Sequence, residues 1–335
     1  MDSLSQALLG ASTFALVKNK HIGRSSFIIG AIAGTIPDLD VMVAPFFDEI
    51  EMLTIHRSYS HSILFAILGS LFFGYIAHRA TQFRYKYKDW TLAFFLALFT
   101  HALLDWCTTY GTQLLCPFND HLFSLNIIHV FEPIYTSILL IGVVLAFRKS
   151  RRFRNKDTII KWTLSLSCIY LCWACVSKTI ANEQFVKDIN SRNIAYEKLL
   201  ISPTPLNTFL WNGIIKTQNG YYFGSYSLFD SRKKIELFFL SSSNDLIPKI
   251  KQFKKGQIYL EYTQDFPLIT MNNDTTRIYA VKFGPINYFG KPEFVYPLCI
   301  NLKDEKEAHF TIEYSKELNG PVKNYHKLFK RIKGI

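Results

Sequence analysis

Residues Trp90 to Trp106, WTLAFFLALFTHALLDW, decide the character of this chain. As a helix rising about 1.5 Å per residue, the run reaches most of the way across a hydrocarbon core of about 30 Å. Two ionisable side chains interrupt it. His101 and Asp105 are four residues apart and share one helix face. A charge held in mid-bilayer costs roughly 2.5–3.5 kcal/mol, so an acid kept there needs a partner.

Outward from this run, five more apolar stretches are readable, at 3–17, 25–47, 61–78, 130–147 and 159–181. No Lys or Arg occurs after Trp90 until Arg148. The first stretch is short and polar-flanked, and it lacks the positive leader and small-residue cleavage site of a signal peptide. Basic residues alternate between connections. Lys18, Lys20 and Arg24 precede the second stretch, Arg79, Arg84, Lys86 and Lys88 follow the third, and Arg148 to Lys161 follows the fifth. The intervening loops hold Arg57 alone, in 45–60, and no basic residue in 107–129. The positive-inside rule places those two loops on the extracytoplasmic face. If the sixth stretch spans, residues 182–335 lie there too. The expected fold is an α-helical polytopic membrane domain of about five to six helices over 1–181, then a small β-rich soluble domain over 182–335.

The net charge of +12 invites a nucleic-acid reading, but the N-terminal basic residues sit in the cytoplasmic connections and follow topology. No nucleic-acid partner is expected. The stretch Arg148–Lys161 reads as an anchor on anionic lipid. Six scattered cysteines do not make a disulfide framework. In the C-terminal half, Gln218-Asn219-Gly220-Tyr221 signals a hairpin between Phe209–Thr217 and Tyr221–Phe229. Further strands are expected at Ile235–Leu240, Gln257–Tyr262, Arg277–Phe283, Glu293–Ile300 and His309–Tyr314. Glu183–Leu200 reads as a helical extension of the last span, and Ser202-Pro203-Thr204-Pro205 as a boundary. No repeat, Walker motif or dinucleotide fingerprint occurs.

Three segments carry ionisable residues at the rim of apolar stretches: Gly34-Thr35-Ile36-Pro37-Asp38-Leu39-Asp40, His56-Arg57-Ser58-Tyr59-Ser60-His61-Ser62, and Thr100-His101-Ala102-Leu103-Leu104-Asp105 running on to Thr108-Thr109-Tyr110-Gly111-Thr112. The charge pattern puts all three at the outer face. Pro37 breaks its helix, so Asp38 and Asp40 are expected to turn inward together. His56 and His61 fit one ligand in a loop and one on the next helix, with Ser58 or Ser60 as its N-cap. Asp38, Asp40, His56, His61, His101 and Asp105 are therefore the expected metal ligands. That donor set suits zinc, with manganese second. Such a site lowers the pKa of bound water to about 7. Asp40 and Asp105 are the candidate bases, and Arg57 is placed to meet a phosphate oxygen or to pair with Glu132.

The ordered set of motifs, from Met1-Asp2-Ser3-Leu4-Ser5-Gln6 through the three segments to Glu132-Pro133-Ile134-Tyr135, resembles the YdjM-like inner-membrane metal-dependent hydrolases, a family also labelled LexA-binding. It is similar at a distance to the zinc-dependent phospholipase C and zinc nuclease superfamily. The resemblance covers residues 1–147 and implies a helical, metal-dependent phosphoric-ester hydrolase with the six ligands named above. Glu132 departs from the Asp expected before Pro-Ile-Tyr. The LexA association is not carried over, because the expected site faces away from the cytoplasm.

The expected activity is hydrolysis of a phosphoester in a lipid or lipid-linked substrate, with membrane lipid as the surrounding partner. The competing readings are a metal-stabilised scaffold or regulatory partner, and an ion-coupled transporter, which the lack of paired broken helices disfavours. Other residues have plainer roles. Asp2 reads as a helix N-terminal residue, His121 and His129 as interfacial, and Cys168, Cys172 and Cys175 as small packing residues. Cys107 and Cys116 share the outer loop and are candidates for a disulfide.

Overall fold

The structure, a computed structural model, describes residues 1–148, 156–231, 234–272, 275–287, 290, 292–294, 297–301, 309–313 and 321–335. The basic residues at 149–155 and Tyr314 of the last expected strand lie outside the described residues.

Helix α1 (Ser3–Ile22) is capped by Asp2, whose carboxylate accepts from Ser5 N at 3.0 Å. It packs on α2 (Ser25–Thr35) through glycines. A Cβ on Gly10 would stand 2.4 Å from the Gly30 carbonyl oxygen, so only glycine lets these backbones approach. At Pro37 the chain bends by 44° into a 3-10 helix, Pro37–Phe46, as the ring removes a backbone donor. A short helix α3 (Glu49–Ile55) and a 3-10 turn (Tyr59–His61) lead into α4 (Ile63–Ala80). Ser62 caps α4, accepting from Phe65 N at 3.0 Å, and neither Ser58 nor Ser60 has that role. Helices α5 (Tyr87–Trp106), α6 (Pro133–Arg148) and α7 (Lys156–Ser191) follow.

Among the described residues, two helices are long and apolar enough to cross a bilayer, Ile63–Ala80 and the stretch Asp157–Ser191 within α7. Counting the bent pair Ser25–Thr35 and Pro37–Phe46 as one span makes three, and Pro133–Arg148 is apolar but shorter. This is fewer than the five to six expected. The difference lies in α1 and α5, which are long but bury polar groups against their neighbours: Gln6, Ser12, Thr13, Lys18 and Asn19 in α1, His101 and Asp105 in α5. The Lys18 ammonium lies 4.1 Å from the centroid of the Trp90 ring, a cation–π contact beside the core residues Phe14 and Phe94.

The C-terminal region is β-rich, as expected, and forms two four-stranded antiparallel sheets. In the first, β1 (Lys198–Pro203), β2 (Leu210–Thr217), β3 (Gly220–Ser227) and β4 (Phe238–Ser241) follow in order, with Thr217 opposite Gly220 at the expected hairpin. Helices α8 (Ile247–Ile250) and α9 (Lys254–Tyr262) precede the second sheet, formed by β5 (Pro267–Asn272), β6 (Thr275–Ala280), β7 (Leu298–Asn301) and β8 (His309–Ile312); α10 (Pro321–Ile332) follows it. Three expectations are corrected. Gln257–Tyr262 is helical, because Ile258, Tyr259 and Tyr262 recur at helical spacing and pack on the Ile250 core. The helical extension ends at Ser191, and the Ser-Pro-Thr-Pro boundary overlaps β1. Strand β5, which was not among the expected strands, begins at Pro267, a residue tolerated at a strand's first position.

The chain forms two compact units. One comprises residues 1–46, 55–174 and 205–207, and the other 47–54, 175–204 and 208–335. The second includes the end of α7, where Phe185 fills the space above Gly213.

Candidate metal centre

The site is assembled by three local devices. The glycine contact of α1 with α2 fixes the end of α2, whose Gly34 carbonyl accepts from His101 Nδ1 of α5 at 2.6 Å. Pro37 starts the 3-10 helix that carries Asp38 and Asp40. Arg57 takes a left-handed backbone (φ 67°), uncommon for a non-glycine residue and characteristic of functional turns. Its N–H donates to Asp40 Oδ2 at 3.1 Å, and its carbonyl accepts from Gln113 N at 3.0 Å.

Asp38, His61, His101 and Asp105 gather, each offering one ligand atom within 4.8 Å of all the others. His61 Nε2 lies 3.1 Å from His101 Nε2, and Asp38 Oδ1 lies 3.4 Å from each. Asp105 Oδ2 lies 3.3 Å from His61 Nε2 and 3.8 Å from His101 Nε2. His61, His101 and Asp105 are buried, and Asp38 is partly exposed.

The protons are fixed from outside the cluster. A carbonyl only accepts, so the bond to Gly34 puts a proton on His101 Nδ1, and in the neutral ring the lone pair is then on Nε2. Ser60 Oγ donates to Asp40 Oδ2 at 3.0 Å and therefore accepts from His61 Nδ1 at 2.9 Å. In its neutral form His61 then has its lone pair on Nε2. With both rings neutral, two imidazole lone pairs and two carboxylate oxygens face one another. Asp105 Oδ2, fully buried, has no hydrogen-bond partner. Arg57 and the Met1 amino group offset charge on Asp105, and a cation among the four acceptors would offset the rest. Zinc arms of about 2.0–2.1 Å in a tetrahedron give ligand-to-ligand edges of about 3.3–3.4 Å, near the five edges above that involve an imidazole, while the group as a whole spans up to 4.8 Å. The residues fit a divalent ion.

Asp40 and His56 stand outside this group of four. Their side chains bond to each other, His56 Nδ1 to Asp40 Oδ1 at 2.8 Å. A 3-10 helix turns about 120° per residue, so residues two apart point in different directions. Asp38 accordingly reaches the cluster, while Asp40 is directed at His56, the Arg57 N–H and Ser60. Arg57 is buried against the cluster. Its Nε is 3.3 Å from Asp105 Oδ2, its NH1 donates to Thr108 Oγ1 at 3.1 Å, and its guanidinium lies 4.5 Å from the Tyr110 ring centroid. It does not pair with Glu132, which instead accepts from the Tyr170 hydroxyl at 2.6 Å.

Sequence reasoning missed three contributors. Gln6 Nε2 donates to Asp105 Oδ1 at 3.0 Å and to the His101 carbonyl at 3.2 Å; an amide inside an apolar helix was the available signal. The Met1 amino group pairs with Asp105 Oδ1. The Gly34 carbonyl had no signal at all. Other expectations resolve simply. His121 rests on Phe123, and His129 Nδ1 accepts from Phe131 N at 3.2 Å, both outside the cluster. Cys107 and Cys116 are buried and unbridged, while Cys168, Cys172 and Cys175 are exposed on α7 instead of packing inside the chain.

Fold and site together define a helical, membrane-associated protein with a buried two-histidine, two-aspartate group able to hold a metal ion. The family model for the YdjM inner membrane protein matches residues 1–181, more than half of the chain, and the chain belongs to that family. Comparison with curated proteins and with solved structures gives no match.

Proposed function

We propose that this protein is a membrane-embedded, metal-dependent hydrolase of phosphoester bonds, acting on a lipid or lipid-linked substrate at the extracytoplasmic face. The observation that carries this reading is the convergence of one ligand atom from each of Asp38, His61, His101 and Asp105. These four residues would hold a divalent cation, which would supply Lewis-acid charge and lower the pKa of water at neutral pH. The chain's own groups do the rest. Gln6, Arg57 and the Met1 amino group grip Asp105 and hold Oδ2 toward both imidazoles. Asp40 orients His61 through Ser60 and holds His56 directly. The buried Arg57 guanidinium brings a fixed positive charge beside the cluster, suited to a phosphoryl oxygen.

The extracytoplasmic orientation rests on the loop charges. It is supported by residues 47–54 folding into the same unit as the C-terminal sheets, which requires that loop and those sheets to share one side. Domains 1–181 and 182–335 would then be the membrane-embedded and exported parts of a multi-pass protein. Protease added at the cytoplasmic side should leave residues 182–335 intact, and cleavage there would overturn the orientation.

One observation favours a second reading. All four positions of a tetrahedral zinc ion would be filled by protein, the arrangement of a structural site. An octahedral ion such as manganese would keep two positions open for water and substrate. Purified protein loaded separately with zinc and manganese, then given a chromogenic phosphodiester, separates the two. Turnover that follows metal loading supports the hydrolase. Full metal loading with no turnover on any phosphoester supports the scaffold.

A further inference from the structure

Residues 47–54 link the acidic segment of the site to its histidine segment, yet they fold with the C-terminal unit. Ile50 of α3 is 3% exposed and shares one apolar core with Ile250, Tyr259, Ile269, Ile278 and Leu298, and Leu53 packs against that core. Asp48 Oδ1 accepts from the backbone N–H groups of Ile50 at 3.0 Å and Glu51 at 2.9 Å, while Lys255 Nζ of α9 lies 2.6 Å from Oδ2. The flanks of this segment are Asp40 and His56, joined at 2.8 Å. The chain from 40 to 56 is thus a loop closed at its base by two site residues and held at its tip by the C-terminal domain.

We propose that the C-terminal domain regulates metal occupancy of the site by holding this loop tip, with Ile50 and Asp48 as positioning residues. The inference rests on the metal reading given above. Mobility at the tip transmits along a short chain to Asp40 and His56, and Asp40 orients the ligand His61 through Ser60. Coupling of this kind is reciprocal. Whatever the docked loop adds to metal affinity, bound metal adds to docking of the loop and to the sheet that holds it.

Hydrogen exchange of the full chain in nanodiscs, with zinc or manganese against chelator, tests this. Chelation should speed exchange in 34–40 and 56–62, and also in 47–54, α9, β5 and β6, while β1–β3 stay unchanged. In Ile50→Ala the response in 34–40 and 56–62 should persist, that of α9, β5 and β6 should vanish, and the metal dissociation constant should rise about 10-fold. Lys255→Glu, on the surface, should act in the same direction and more weakly. A metal response confined to 34–40 and 56–62 in the parent, or parental affinity in Ile50→Ala, overturns the coupling and leaves the metal site standing. No response anywhere overturns both.

Discussion

His101 Nδ1 donates to the Gly34 carbonyl across 2.6 Å, and this bond aims Nε2 at His61 Nε2, 3.1 Å away. A helix-end carbonyl thereby fixes the tautomer of a ligand on another helix. Carbonyl or carboxylate partners of ligating histidines have this role in metal sites generally.

Gly34→Ala should therefore damage the site without touching a ligand. The added Cβ would stand 2.6 Å from the Gln6 carbonyl oxygen and 2.9 Å from Gly10 Cα. Separating α1 from α2 should destabilise the protein by about 1–3 kcal/mol, as overpacking does. Metal affinity should fall more than 10-fold, measured by chelator competition. Ser26→Ala, remote from the site on the same helix, should keep parental affinity.

Asp105→Asn and Asp40→Asn should differ in kind. Asp105→Asn removes a converging oxygen and should abolish bound metal with the protein still in the membrane fraction. Asp40→Asn loosens His56 and the Ser60 link to His61, and should lower affinity by about 10–100-fold while stoichiometry at saturating metal is kept. Metal analysis and titration of both variants check this, and equal losses would place Asp40 among the ligands.

The pH behaviour of the loop tip follows from Asp48. Slight burial opposes its charge, but Lys255 and the N–H groups of Glu51 and Ile50 prevail and hold its carboxyl below the ordinary range. A depressed carboxyl stabilises the fold above its unfolded value of about 3.9 and loses that effect as pH falls through the lower folded value. In metal-free protein, exchange protection of 47–54 should be flat from about pH 5 to 8 and fall below about pH 4. Lys255→Met should shift that fall to higher pH. A step between pH 6 and 7 would contradict this assignment.

Much of the site was legible because its chemistry is local. His101 and Asp105 lie one turn apart inside an apolar helix, a placement with few structural explanations. Asp38 and His61 were legible from their motifs. The 3-10 geometry after Pro37, which directs Asp40 toward His56 and Ser60, is not written in the residue types. Arg57 was legible as part of the site, but its packing on Tyr110 and Thr108 depends on a left-handed turn that no local signal marks. In the fold, the Asn219-Gly220 hairpin announced itself. Helix α9 did not, since Ile258, Tyr259 and Tyr262 suit a strand until a core arrives from distant residues. The docking of Ile50 into the C-terminal core joins residues some 200 positions apart, beyond any reading of local pattern.

X-ray absorption at the metal edge of protein purified from native membranes tests the central claim most directly. It should report one divalent ion per chain with two imidazole nitrogens and carboxylate oxygens at about 2.0–2.2 Å, lost in Asp105→Asn. Protein that is folded, free of metal and unable to take up zinc or manganese would contradict the account, as would an ion bound through sulfur.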